Sequence, residues 1–191
     1  MTLRVISGEA RGRKLKSVPG DTTRPITDRA KESLFNILAN DVIGSSWWDV
    51  FAGTGAVGIE ALSRGAAFAR FSDRERLAIE TIKSNLELCR FEKRAEIRRG
   101  DAFALLAAPP ERAFDYVYIA PPQYKEMWTK ALTVLDGNPD WLSEDCEVIV
   151  QIAPKEYQAM GLAHLVEFDQ RKYGTTLLVF YERKGDAPLP S

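Results

Sequence analysis

Residues 49–62 read DVFAGTGAVGIEAL, the end of an apolar strand closed by Asp49, a turn with glycines at 53 and 55, and the start of a helix. Gly53 and Gly55 can take backbone shapes closed to other residues and so let the main chain approach a ligand. Gly58 lets the new helix pack closely on the strand. A Gly-x-Gly turn is shared by many nucleotide-binding folds, and its surroundings narrow the choice. The next strand, AFARFSD, ends in Asp73, and the third, AEIRRGD, ends in Asp101. In dinucleotide folds an acid about 20 residues past the loop holds ribose hydroxyls. At the third strand a carboxylate or backbone amide suits an adenine amine, with Phe103 packing on the ring. Asp49 beneath the loop would repel a pyrophosphate but suits a cationic amino-acid end. This pattern favours S-adenosylmethionine over NAD.

Outward from that turn, strand and helix alternate five times before a closing hairpin about Tyr173–Gly174. The alternation predicts a doubly wound, Rossmann-like α/β sandwich with mixed strands at one edge. The segment LRVISGEARGRKLKSV reads as short strands forming a basic hairpin. Thr27 or Asp28 caps a following helix whose Ala30, Leu34, Ile37 and Leu38 face inward, and a later helix turns Leu77, Ile79, Ile82, Leu86 and Leu88 inward. Of Trp47 and Trp48, one is expected to pack and the other to cover an edge. Trp128 and Trp141 belong to the core. The organisation read from this is a basic hairpin-and-helix extension over 1–40, a main domain over 41–184, and a frayed tail over 185–191.

Composition bounds the function. At 191 residues and 45% hydrophobic, the chain is long enough for one domain with a full core. It shows no apolar run of about 20 residues and no secretory leader, so a soluble, cytoplasmic protein is expected. Cys89 and Cys146 lack metal-ligand or redox spacing and read as reduced, buried thiols. The net charge of −1 is uneven: residues 1–36 carry eight Lys/Arg against four acids, a net of +4, leaving 18 basic and 23 acidic residues, a net of −5, in the rest. Such asymmetry points to a basic arm that meets a polyanion, through Arg4, Arg11, Arg13, Lys14 and Lys16. His164, the single histidine, reads as structural or exposed.

The fourth strand runs into YVYIAPPQYK, residues 116–125. Ligands sit beyond the carboxyl ends of strands in open α/β sheets, so Ala120, Pro121, Pro122, Gln123 and Tyr124 belong beside the cofactor's reactive methyl. Two prolines supply no N–H, and the corner offers carbonyl acceptors in a rigid array. An aromatic beyond them can stack on a base. Acceptors plus a stacking face suit an exocyclic base amine, and alignment with an already electrophilic sulfonium requires no metal.

Together, RVISGEARGRKL, TRPITDRAKESLFNIL, DVFAGTGAVGIEALSRGA and KYGTTLLVFYE resemble the RsmD family of bacterial ribosomal RNA guanine-N2 methyltransferases, over nearly the whole chain. The resemblance implies a class I S-adenosylmethionine-dependent enzyme acting on guanine N2 of 16S rRNA, free or in the 30S particle, as a monomer. It assigns Asp49 to Gly55, with Phe51, Gly53 and Gly55, to the methionine end of the cofactor. Asp73 with Arg74 takes the ribose, and Asp101, Ala102 and Phe103 the adenine, while Arg24 and Thr27 lie near the cofactor or base. The basic hairpin through Lys16 contacts RNA phosphates. One position departs: the family's Asp/Asn-Pro-Pro-Tyr/Phe is here Ala120-Pro121-Pro122-Gln123, with Tyr124 one place later. The departure keeps two alternatives open, a methyltransferase on another nucleic-acid amine (adenine N6 or DNA) and a non-catalytic cofactor- or RNA-binding assembly protein.

Overall fold

The computed structural model describes residues 3–20, 26–123 and 126–185; Arg24, Tyr124 and tail residues 186–191 lie outside the described residues. Seven strands form one sheet: β1 (Ser46–Asp49), β2 (Phe68–Asp73), β3 (Ala95–Arg99), β4 (Phe114–Ile119), β5 (Leu142–Ile152), β6 (Leu165–Tyr173) and β7 (Thr176–Arg183). Their order is β3-β2-β1-β4-β5-β7-β6. The first five run parallel, and β7 enters antiparallel between β5 and β6. The chain winds one way from β1 to β3 and then crosses to β4 on the other side. That reversal leaves a crevice at the carboxyl ends of β1 and β4, where open α/β sheets bind ligands. The expected doubly wound sandwich with a mixed edge is the fold observed.

Helices α1 (Asp28–Leu38), α2 (Ala56–Ser63) and α3 (Arg76–Cys89) contribute to one hydrophobic cluster, and α4 (Ala102–Ala107) and α5 (Met127–Asp136) to a second. Trp47 stacks on Phe35 and Tyr116 in the first cluster, while Trp48 meets Trp141 and Phe114 in the second. Both indoles are buried, correcting the expectation that one covers an edge. In a central strand covered on both faces, alternation buries successive residues alike.

Thr27 caps α1 by accepting from the Ala30 N–H at 3.2 Å. The buried stripe of α1 is Ala30, Lys31, Leu34, Phe35 and Leu38. Ile37 falls off that stripe and is exposed, as is Leu77 in the first turn of α3, against expectation for both. The N-terminal arm closes as a short hairpin: the antiparallel Arg4–Lys14 bridge is flanked by hydrogen bonds from the Val5 N–H to the Arg13 carbonyl at 3.0 Å, from the Gly12 N–H to the Val5 carbonyl at 2.9 Å and from the Leu15 N–H to the Leu3 carbonyl at 2.8 Å. Beyond these pairs the backbone turns to α2. Ile6 and Ser7 donate their N–H groups to the Glu60 carboxylate at 2.8 and 3.0 Å, and Glu9 donates to the Ser63 carbonyl at 2.9 Å. The tip of the hairpin is therefore docked on α2.

Both cysteines are free and buried. His164 is exposed, with its ring 2.8 Å from the Asp136 carbonyl. Among the described residues no helix is long and apolar enough to cross a membrane, and no group of three or more His, Cys, Asp or Glu is placed to hold a metal ion.

Candidate active site

The glycine turn hangs on the two neighbouring strands. Val50 donates to the Tyr118 carbonyl at 3.0 Å and Ala52 to the Ser72 carbonyl at 2.9 Å. Gly53 and Gly55 then take φ of +55° and +79°, in the left-handed region that costs glycine little. No heavy atom lies within 4 Å of where a Gly53 side chain would begin, so this backbone faces open space. Gly58 is the opposite case, since a Cβ there would stand 2.4 Å from the Phe71 ring. The close packing of α2 on β2 requires that glycine.

Beneath the turn, Asp49 is buried. One of its oxygens accepts from the Gly58 N–H at 3.4 Å, and Oδ1 has no partner among the described residues. Burial pushes its carboxyl up from 3.8 to about 7, partly offset by Gly58 and reinforced by Asp73. Asp73, half-buried at the end of β2, accepts from Gly53 N–H and Glu75 N–H, each at 2.9 Å. Its carboxylate holds the turn in place and keeps lone pairs for further donors. Arg74 beside it is exposed and pairs with Glu75 at 3.3 Å.

Asp101 caps α4 by accepting from Ala104 N–H at 3.1 Å. Ala102 behind it is buried. Phe103 is half-buried, meets Phe51 edge-on at 6.3 Å, and has the Lys130 ammonium 4.2 Å from its ring centre. At the fourth corner Ala120 is half-buried against the core, Pro121 buried, and Pro122 and Gln123 exposed. The ends of four parallel strands thus bring Asp49, Asp73, Asp101 and Ala120 to one rim.

The arm's basic residues divide. Arg4 pairs with Asp28 at 2.9 Å, Arg13 donates to the Leu88 carbonyl, and Lys16 reaches Ser84 at 3.3 Å. Arg11 and Lys14 are exposed and make no ion pair among the described residues. They are the cations most available to a polyanion.

A family described as Conserved hypothetical protein 95 matches residues 3–182. Among curated relatives, "Putative rRNA methyltransferase YlbH" of Bacillus subtilis is 40% identical over 185 residues, covering 96% of this chain and 100% of the relative. "Ribosomal RNA small subunit methyltransferase D" of Escherichia coli is 33% identical over 149 residues, covering 78% of this chain and 74% of the relative. The chain belongs to the RsmD family. A solved structure, "Putative methyltransferase yhhF" from Escherichia coli, superposes with a TM-score of 0.85 at 29% identity, covering 96% of this chain and 99% of the other.

In this RsmD-family chain, sequence reasoning missed Asn85. Buried on α3, it donates to the Thr54 carbonyl at 2.9 Å and to the Lys16 carbonyl at 3.0 Å, and accepts from Lys16 N–H at 2.8 Å. One amide thereby ties the glycine turn to the arm. A polar residue between Ile82 and Leu86, in the run IKSNL, was the available signal. Asn85→Ala leaves these backbone groups without partners and is expected to cost about 1–3 kcal/mol. Urea denaturation reads the loss, and faster hydrogen exchange at Gly53 and Gly55 would trace it to the turn.

Proposed function

We propose that this chain transfers a methyl group from S-adenosylmethionine to the exocyclic N2 of a guanine in 16S rRNA. Methyl transfer to rRNA is the activity named for its relatives in Bacillus subtilis and Escherichia coli. The observation that carries the cofactor reading is the cradle itself: an open glycine turn over a buried carboxylate oxygen that lacks a partner among the described residues. A cationic amino-acid end entering over Gly53 would meet that oxygen, whereas a pyrophosphate would be repelled.

In this reading Asp49, Phe51, Gly53 and Gly55 hold the methionine end, and Asp73 with Arg74 receives the ribose hydroxyls. Ala102 and Phe103 pack against the adenine, while Asp101 orients the start of α4. Thr27 positions the helix that follows Arg24. The cofactor supplies a methyl on a cationic sulfur; as the new N–C bond forms the C–S bond breaks, its electron pair stays on sulfur, and one amine proton passes to water. The chain's own contribution is alignment. The carbonyls of the Ala120-Pro121-Pro122 corner accept the amine's hydrogens and aim its lone pair, and Tyr124 takes the stacking role. Residues 1–40 form the RNA-contacting extension, with Arg11 and Lys14 on phosphates, and 41–184 the transferase domain. The reading includes a monomer working in the cytoplasm on free rRNA or the 30S particle.

The test is transfer of labelled methyl to unmodified 16S rRNA, free and in 30S particles, followed by nucleoside analysis. N2-methylguanine is the expected product. N6-methyladenine or methylated DNA would move the assignment to another amine, and cofactor binding without any transfer would favour a non-catalytic assembly role.

A further inference from the structure

We propose that Gln151, on the neighbouring strand, supplies the side-chain acceptor that Ala120 cannot, so that the target amine is gripped from β5. The inference rests on the amine-methylating role proposed above. Tyr118 pairs with Ile149 and Ile119 with Val150 in parallel, so one step on Ala120 stands level with Gln151 at the rim. The Tyr118 hydroxyl donates to the Gln151 amide oxygen, which places the two side chains on the same face of the sheet. Alternation puts Ala120, two residues past Tyr118, on that face too.

The amide is also held still. Tyr118 is buried, and its Cα stands opposite Asp49 of β1 in register. A buried ring on β4, the strand that borders the switch point, thus anchors the Gln151 oxygen on β5. A carbonyl oxygen has two lone pairs, and Tyr118 takes only one. Among the described residues no donor takes the other, and the Gln151 Nε2 makes no hydrogen bond. Gln151 is half-buried, at the boundary between core and rim, whereas Gln123 follows the two prolines and is exposed. The spare lone pair is the acceptor for an exocyclic N–H, and the free Nε2 donor suits a ring nitrogen next to that amine. Tyr118 is a positioning residue that orients the amide.

The test compares the unmutated chain, Gln151→Leu, Ala120→Asp and their double variant, together with Tyr118→Phe alone and combined with Gln151→Leu. Each is assayed for kcat and KM in methyl transfer to 16S rRNA, with cofactor affinity and thermal midpoint measured alongside. A neutral hydrogen bond made in the transition state predicts that Gln151→Leu lowers kcat about 2- to 12-fold, with cofactor affinity unmoved. When Ala120→Asp supplies a carboxylate at the same level, the same substitution is expected to cost less than about twofold, and that non-additivity marks a shared role. Tyr118→Phe should lower kcat in the unmutated chain but add nothing to Gln151→Leu. Equal losses from Gln151→Leu in both backgrounds would assign a structural role and overturn the proposal. So would full activity of Gln151→Leu, with the methyltransferase reading left standing. A chain that binds cofactor but never methylates RNA overturns both.

Discussion

A Glu60→Ala chain is expected to unfold about 3–5 kcal/mol more easily than the unmutated one, read from paired urea titrations. Glu60 and Lys31 are both fully buried and 3.4 Å apart. The carboxylate also accepts from Ile6 and Ser7 N–H and from Arg64 Nε at 2.9 Å, and the Lys31 ammonium donates to the Arg4 carbonyl at 2.6 Å. Removing the carboxylate leaves a buried cation without its paired carboxylate, with only the more distant Asp28 in opposition, and two backbone donors with no acceptor. Burial already holds Lys31 below the usual lysine value of 10.5, with Glu60 opposing that shift. Without Glu60 the proton is held still less firmly in the folded chain than in the unfolded one. The unfolded state then binds more protons between the lowered pKa and 10.5, so the variant's stability should climb with pH across that window, more steeply than the parent's. Lys31→Met combined with Glu60→Gln, which removes both charges and keeps an acceptor for the arm, should recover much of the loss. If the double variant is no more stable than Glu60→Ala, the unpaired charge is not the cause.

That network also shows what a one-dimensional reading of this chain can reach. The strand-turn-helix at 49–62, the acids closing β2 and β3, and the Pro-Pro corner follow local rules, because short-range backbone chemistry decides them. The inward faces of α1 and α3 were legible to within a residue, with Ile37 and Leu77 misplaced where the stripe curves around the helix. What escaped depends on contacts between distant segments. Nothing in KES or IEAL marks Lys31 and Glu60 as a buried pair, which forms where the arm docks on α2. Arg70 likewise lies inside β2, over the rings of Trp48, Phe114 and Trp141 and 2.7 Å from Glu96. The Tyr118–Gln151 pair spans two strands whose register no sequence period specifies. Buried polar groups are the residues whose partners sequence conceals, and here they connect the arm, the glycine turn and the rim.

Asp49→Asn is expected to weaken S-adenosylmethionine binding about 10- to 150-fold, the worth of a charge-assisted hydrogen bond to the ligand's ammonium. Asparagine preserves shape and an acceptor, so the loss isolates the charge. The pH dependence separates this from general damage to the turn. In the ligand-free chain the Asp49 carboxyl sits at about 7, so near neutrality it is part protonated. Affinity for a cation should therefore fall as pH drops below 7 in the parent and stay flat in Asp49→Asn. Stability of the ligand-free chain runs the other way. A folded-state pKa raised from 3.8 stabilises the fold fully below 3.8, and this contribution is lost as pH rises through about 7. Above that pH the parent carries a buried, half-satisfied carboxylate that Asp49→Asn lacks, so the variant should be the more stable ligand-free protein there. A group that costs the empty fold stability while adding affinity is placed for its ligand. Calorimetric titration of both proteins from pH 6 to 9, with melting curves at each pH, reads the two slopes together; parallel affinity slopes would remove Asp49 from the cofactor site.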